Sequence, residues 1–337
     1  MTVTKVGIIG ASGYTGLELI KLILSHPYFE LSYVSTSTGE MKLSELHPSL
    51  LGVYECDVVK ADAVSAAREA ELVFLALPHK TAMQYVKELM KTEVKIVDLS
   101  ADYRLTKERY EENYCPHTDV DNIKNSVYGL PELYREEIKT ARLVANPGCY
   151  PTSAILGVLP FIPYITEGSD IIVDAKSGVS GAGKKLSEST HYVNINDNMY
   201  AYNPFVHRHG PEIFEKLSFK TNKTFSVNFV PHLVPATRGM LASIYLNVDA
   251  DINAEEVLKE YYQDEKLVRV RSDTVDMKSV AGTNFCDIFV KKRGSLLFIS
   301  SAIDNLLRGA SSQAMANANL MCGYEEVLGL PTLAYVP

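Results

Sequence analysis

The sequence predicts two domains of different class: an α/β domain built on a parallel sheet, then an α+β domain whose sheet is mixed and largely antiparallel. Three observations predict this. Up to Ala145, short apolar strand runs alternate with helical patterns. Beyond Pro147, strand-like runs follow one another with few helices between them. The length, 337 residues, exceeds what one core usually serves at roughly 100–200 residues per domain.

In the first domain, Val6–Gly10 is a β-rich run that ends in a Gly-rich turn. Thr15–Ser25 then carries Leu19, Ile20, Ile23 and Leu24 at helical spacing, and His26-Pro27 stops it. Leu31–Ser35 reads as a second strand, Ala61–Ala70 as a helix, Leu72–Leu77 as an apolar strand halted by Pro78, and Thr81–Lys91 as a helix. Val94–Leu99 and Leu143–Ala145 are further short apolar strands. Strands that are apolar along their whole length need cover on both faces, which crossover helices on a parallel sheet provide. In the second domain, Asp170–Ala175, Phe225–Phe229, Ala242–Val248, Cys286–Lys291 and Leu296–Ala302 read as strands, with Ala254–Gln263 the clearest helix. Asn305–Met321 is Ala/Ser/Asn-rich with a helical pattern. The expected division is 1–148 for the first domain, completed by 305–337, and 149–304 for the second.

Composition removes several function classes. The 33 Lys+Arg against 41 Asp+Glu leave a net charge of −8 without a basic run, which argues against nucleic acid or an anionic membrane surface as partner. The longest apolar run, Ala154–Ile165, is broken by Pro160 and Pro163 and is too short to span a bilayer. The first residues show none of the basic, apolar and small-residue pattern of a secretory leader. Five cysteines without CxxC spacing read as reduced thiols, neither a disulfide frame nor a metal site. A cytoplasmic protein is expected.

Gly10-Ala11-Ser12-Gly13-Tyr14-Thr15-Gly16 follows the first strand and opens the first helix. Glycines there allow a tight turn and close backbone approach, and the helix start presents N–H groups to a pyrophosphate. The spacing departs from GxGxxG, and an ordinary Gly-rich turn is the plain alternative; the strand–turn–helix context favours a dinucleotide site. At the end of the second strand stand Ser35, Thr36, Ser37 and Thr38, with no carboxylate before Glu40. A carboxylate would hold a ribose 2′-OH and repel a 2′-phosphate. NADP is therefore expected over NAD.

Asn146-Pro147-Gly148-Cys149-Tyr150-Pro151 lies between the strand Leu143–Ala145 and the helical run Thr152–Leu159. Pro151 suits a first helical turn, which puts Cys149 at or just before a helix N-terminus, where thiolate is favoured over thiol. A thiolate in acyl transfer needs a proton shuttle, and His207-Arg208-His209-Gly210-Pro211-Glu212 offers two histidines two apart. One functional histidine is expected; backbone bonding is the other use of such a pair, and no second Cys/His pair completes a zinc site. Arg104, Arg208 and Arg238 are candidates for an anionic substrate, because guanidinium forks suit carboxylates and phosphates. The Gly/Ser-rich loop 177–185 can bring backbone close to a ligand, with a surface loop as the equal alternative.

Taken together, GASGYTG at 10–16, DLSADYRL at 98–105, YGLPEL at 128–133, LVANPGCYPT at 143–152, DAKSGVSGAGK at 174–184, HRHGPEI at 207–213 and DNLLRGA at 304–310 closely resemble the N-acetyl-γ-glutamyl-phosphate reductase family of arginine biosynthesis. The resemblance runs nearly end to end. It implies a Rossmann domain, a catalytic α+β domain and a C-terminal helix that returns to the first domain. It implies Cys149 as nucleophile and His209 as catalytic histidine, with Arg104, Asn146, Ser180, His207 and Arg208 toward the substrate. NADP contacts are implied at Gly10, Ser12, Gly13, Tyr14, Thr15, Gly16, Ser35, Thr36, Ser37, Pro78, Ser177, Gly178 and Asn305. The implied reaction is NADPH-dependent reduction of an acyl phosphate through a cysteine thioester, in a homodimer or homotetramer. Arg308 and Gly210 depart from the residues common in relatives. The related reductase of lysine biosynthesis, one methylene longer in its substrate, is the nearest rival; a non-catalytic NADP-binding regulator is a more distant one.

Overall fold

The computed structural model describes residues 3–249 and 251–335. Residues 1–2 and 336–337, the outer ends of the two segments assigned to the first domain, lie outside the described residues, as does Ala250. The chain divides into two units. One holds the described residues up to Pro147 together with Ala310–Leu330, and the other holds Gly148–Gly309 together with the described residues from Pro331.

In the first unit the strands are β1 (Thr4–Ile9), β2 (Phe29–Thr36), β3 (Met41–Lys42), β4 (Asp57–Lys60), β5 (Leu72–Leu75), β6 (Lys95–Asp98), β7 (Ser126–Tyr128) and β8 (Leu143–Ala145). They form one sheet in the order β3-β4-β2-β1-β5-β6-β8-β7. Every pairing is parallel except that of β3 with β4. The apolar runs fall on the central strands, and β5 is buried at all four positions. β3, β4 and β7 carry no such run, because they lie toward the sheet edges and stay partly exposed. Strand order reverses direction between β1 and β5, so the loops after these strands flank the crevice where doubly wound sheets bind ligands.

The helix Tyr14–Ser25 buries Leu19, Ile20, Leu22 and Ile23. Ala82–Leu89 buries Ala82, Met83, Val86 and Leu89 in a core shared with Tyr103, Tyr110 and Leu143. Each leucine, isoleucine, valine or methionine among them contributes about 1.5–3 kcal/mol when fully buried. The C-terminal helical stretch opens with a π-helical turn, Leu307–Ser311, and continues as the helix Ser312–Met321, which is buried at every position. Its small residues let it pack closely, and the NH2 groups of its side-chain amides are answered inside the unit. Gln313 and Asn317 donate to the Gly129 carbonyl (3.0 and 2.9 Å), and Asn319 donates to the carbonyls of Glu326 and Leu328.

In the second unit β9 (Ser169–Gly178), β10 (Tyr200–Ala201), β11 (Phe225–Val234), β12 (Met240–Asn247), β13 (Val268–Val270), β14 (Cys286–Arg293) and β15 (Leu296–Ile303) lie in the order β10-β11-β9-β12-β15-β14-β13. β11 with β9 and β13 with β14 are parallel; the other four pairings are antiparallel. Gly294, at φ +61°, opens the two-residue turn between β14 and β15, a conformation that favours glycine. Along β12 every second residue is buried, the mark of a sheet covered on one face. The helix Cys149–Val158 packs on β12 and β15, and Gly157 lets Ile244 and Ile299 approach its backbone. Among the described residues, no helix is long and apolar enough to cross a membrane.

Candidate active site

In the first unit the Gly-rich turn is shaped by contact. Gly10 has φ +97°, and a Cβ there would collide with the Ala76 carbonyl oxygen. At Gly16 a Cβ would sit 2.6 Å from the Ala11 oxygen. The backbone N–H groups of Gly10 and Ala11 both donate to the Ser35 carbonyl at 3.0 Å, tying the turn to the end of β2. His47, which carried no role in the sequence reading, places Nε2 2.8 Å from the Ala11 carbonyl oxygen. Gly13 caps the helix without any side-chain hydrogen bond. Around its missing Cβ the nearest atom, Thr15 Oγ1, is 3.9 Å away, which leaves open space before the helix N-terminus. Ser12 and Tyr14 are exposed and Thr15 is half-buried beside that space. An anionic pyrophosphate fits such a cradle on space, donors and dipole alike.

The residues at the end of β2 divide sharply. Ser35 is fully buried and its hydroxyl donates to the Ile8 carbonyl at 3.3 Å. Thr36 Oγ1 accepts from Gly39 N–H at 2.9 Å. Ser37 and Thr38 are exposed. The loop after β5 carries exposed Pro78 and is held by buried Asp102, whose carboxylate accepts from the N–H groups of Lys80 (2.7 Å) and Ala82 (3.1 Å) and from the Tyr110 hydroxyl (2.9 Å). Asp98 at the end of β6 is wholly buried and accepts from Ser100 N–H and Oγ. Burial, and then the Asp102 charge, raise its pKa to about 7. Arg104 is 4% exposed and donates from Nη2 to the Leu99 carbonyl at 2.8 Å. Asn146 is also wholly buried: its Nδ2 donates to the Ala310 carbonyl (3.1 Å) and its Oδ1 accepts from Asn317 (3.0 Å). Both ends of that amide are thus engaged within the unit's own packing.

In the second unit Cys149 opens its helix and is half-buried. Gly148, the cap residue, has its N–H bound by Glu212 Oε1 at 2.9 Å. Gly309, in the π-helical turn, approaches from another side; a Cβ there would lie 2.7 Å from the Cys149 Cβ. The ring of Tyr150 packs edge-on against both His207 and His209, centroids 5.8 Å away in each case. The two histidines therefore lie beside the start of the Cys149 helix.

The pair is not equivalent. His207 sits in an aromatic box with Tyr150, Tyr202 at 5.5 Å and Phe229 at 5.3 Å, and its Nδ1 accepts from the His209 N–H at 3.1 Å. Burial, helped by the neighbouring Arg208 charge, pushes its pKa down to about 4. A neutral ring that accepts at Nδ1 carries its proton on Nε2. His209 begins the helix His209–Ser218, one residue earlier than Gly210 and two before Pro211. Arg208 is exposed. The hydroxyls of Tyr150 and Tyr202 lie 3.1 Å apart, and burial raises the Tyr202 phenol to about 12.

Asn305 accepts at Oδ1 from Gly239 N–H (2.8 Å) and donates from Nδ2 to Ser180 Oγ (3.0 Å). Ser177 donates to the Gly178 carbonyl at 3.1 Å, and Gly178 is crowded by the backbone of residues 236–238. Arg238 donates to Asp304 Oδ1 at 3.1 Å, and buried Asp304 also accepts from the N–H groups of Leu306, Leu307 and Gly282. Asp304, Glu212 and Gly309 carried no separate assignment in the sequence reading. Glu212, three residues after His209 and so on the same helical face, was the one with a local signal. Among the described residues, no group of three His, Cys, Asp or Glu side chains is poised to hold a metal ion.

This pairing of a dinucleotide cradle in one unit with a cysteine-histidine site in the other defines a class. Residues 5–141 match the semialdehyde dehydrogenase NAD binding domain, and residues 149–305 match the semialdehyde dehydrogenase dimerisation domain. The chain is 62% identical over 337 residues to N-acetyl-gamma-glutamyl-phosphate reductase of Sulfurimonas denitrificans, covering all of both chains. It is 57% identical over 332 residues to the protein of that name from Wolinella succinogenes, covering 98% of each. It belongs to the N-acetyl-gamma-glutamyl-phosphate reductase family. The fold is shared more widely. Aspartate semialdehyde dehydrogenase II from Vibrio cholerae superposes with a TM-score of 0.74 at 16% identity, covering 96% of this chain and 99% of that one. The Candida albicans aspartate semialdehyde dehydrogenase solved with NADP gives 0.70 at 15%, covering 95% and 99%.

Proposed function

We propose that this protein reduces N-acetyl-γ-glutamyl phosphate to N-acetylglutamate 5-semialdehyde, releasing phosphate and oxidising NADPH, as a step of arginine biosynthesis. The observation that carries the reading is Cys149 at the start of a buried helix, beside the His207–His209 pair. The names of the full-length relatives supply the substrate.

The helix N-terminus favours the Cys149 thiolate, which attacks the acyl carbon. A carbon–sulfur bond forms, the carbon–oxygen bond to phosphate breaks, and a thioester results. NADPH, when bound, supplies the hydride that reduces the thioester carbonyl. His209 takes the thiol proton at the outset and returns a proton to sulfur as the hemithioacetal collapses and the aldehyde leaves. The N-terminal N–H groups of the Cys149 helix face the oxyanion. His207 stays neutral and orients His209 through the Nδ1 bond to its backbone, which makes His207 a supporting group rather than a proton carrier. Arg104, Arg208 and Ser180 are the proposed contacts for the substrate's anionic groups. Asn146 and Asn305 serve by holding the backbone around them.

NADP rather than NAD is supported by exposed Ser37 and Thr38 at the end of β2, with no carboxylate before Glu40. Gly10, Gly13 and Gly16 shape the pyrophosphate cradle, Ser12, Tyr14 and Thr15 line it, and Pro78, Ser177 and Gly178 are further proposed contacts. Ser35 and Thr36 support the turn from beneath. A homodimer or homotetramer is proposed on the dimerisation-domain match, and the cytoplasm, which maintains NADPH and reduced thiols, is the proposed compartment.

The test is the reverse reaction, followed by nicotinamide absorbance with N-acetylglutamate semialdehyde, phosphate and either NADP or NAD. Phosphate-dependent reduction of NADP is expected. Preference for NAD would overturn the reading of Ser37 and Thr38, and activity confined to the one-methylene-longer aldehyde would overturn the substrate.

A further inference from the structure

We infer that Glu212 is a positioning residue that sets Cys149 against its proton carrier by gripping the backbone one residue before the thiol. The inference rests on Cys149 being the nucleophile, and it starts from an unusual cap. Gly148 caps the Cys149 helix but has no side chain with which to do so. Its own N–H is instead answered from 64 positions away, by Glu212 Oε1 at 2.9 Å. Glu212 is 1% exposed, and an acidic side chain so deeply buried is tolerated where hydrogen bonds answer it.

The position of Glu212 on its own helix gives the bond its consequence. The helix His209–Ser218 begins with His209, and Glu212 stands three residues later, on the same face. One helix therefore carries both the proton carrier and the group that holds the peptide leading into Cys149. The Gly148 N–H is separated from the Cys149 Cα by one peptide unit, so slack in the Glu212 bond passes directly into the thiol's position. A displacement of about 1 Å in a reacting group costs on the order of 100-fold in rate. Glu212 needs no contact with substrate for this.

The experiment compares Glu212→Ala, Glu212→Gln and Glu212→Asp in the full chain, with two readouts. The first is steady-state kcat and KM. The second is the rate at which iodoacetamide alkylates Cys149, followed by mass spectrometry, which needs neither substrate nor nicotinamide. Glu212→Ala is expected to lower kcat by about 10–100-fold with KM within about threefold, and to change the alkylation rate by about fivefold or more. Glu212→Gln restores an oxygen acceptor and is expected to keep kcat within about threefold of wild type. Glu212→Asp, one methylene shorter, is expected to fall between the two, and it supplies the reading if the alanine variant does not fold. Wild-type kcat and alkylation in the alanine or aspartate variant would overturn the inference. So would a rise in KM alone, or a glutamine variant as slow as the alanine one. Turnover retained by Cys149→Ala would instead remove the reading of Cys149 on which the inference rests.

Discussion

Two strand–turn–helix junctions, one opening the Gly13-capped helix of the first unit and the other the Gly148-capped helix of the second, use the same local device to opposite ends. Each helix is capped by a glycine that makes no side-chain hydrogen bond. At Gly13 the space beyond the backbone is open, with Thr15 Oγ1 at 3.9 Å the nearest atom to a would-be Cβ. At Gly148 the cap N–H is occupied by Glu212, and Gly309 presses on the following cysteine. A cradle for a diffusible anion must leave donors and volume vacant. A turn that aims a nucleophile must be immobilised.

The comparison breaks most visibly at the thiol itself. Cys149→Ala is expected to abolish reduction, a loss of at least about 10⁴-fold, while NADPH affinity by fluorescence titration stays within about twofold. Parallel loss of nucleotide binding would mean that the two junctions are not functionally separate. The half-buried imidazole of His207 gives the second effect. Because folding lowers the His207 pKa from 6.5 to about 4, the unfolded chain takes up the proton first as pH falls. Stability is then lost between pH 6.5 and about 4, by about 3 kcal/mol from this group, and is level below that window. Urea titrations of wild type and His207→Gln across this range are expected to show a steeper acid loss in the wild type; equal slopes would place the proton elsewhere.

Gly309→Ala tests how tightly the second junction is held. The added methyl must displace Cys149, and kcat is expected to fall on the order of 100-fold with NADPH affinity unchanged. A wild-type kcat would show that the π-helical turn yields without moving the thiol. The smallest effect belongs to the open junction. Ser37→Asp is expected to raise the KM for NADPH about tenfold, roughly 1.4 kcal/mol, with less change for NADH. An equal change for both cofactors would locate the 2′-phosphate away from the end of β2.

Legibility in the sequence follows the same contrast. The central strands of the first sheet announced themselves as unbroken apolar runs, since burial on both faces leaves no polar alternation. The strands at or next to the sheet edges, β3, β4 and β7, short and partly exposed, left no such mark. Gly16 was readable because its demand is local, a Cβ there meeting the Ala11 oxygen, and Gly10 because its turn takes a φ of +97° that favours glycine, although the oxygen crowding it comes from distant Ala76. At the end of β2, Ser35 through Ser37 look alike as hydroxyl residues, yet Ser35 turns into the sheet toward Ile8 while Ser37 faces solvent. Alternation would set residues two apart on one face; the difference arises because β2 ends at Thr36, so Ser35 pairs with Ile9 of β1 while Ser37 lies beyond the strand.

Two domain classes, a glycine turn and a cysteine at a helix start were therefore determined by the sequence alone, because each expresses periodicity or backbone freedom over a dozen residues or fewer. The inequality of His207 and His209 was decided by tertiary structure. It depends on Tyr150, Tyr202 and Phe229 closing around one ring, and on the desolvation that follows. The grip of Glu212 on Gly148 and the approach of Gly309 to Cys149 belong to the same kind. They join residues far apart in the chain, and a contact whose partners are distant in sequence leaves no period to read.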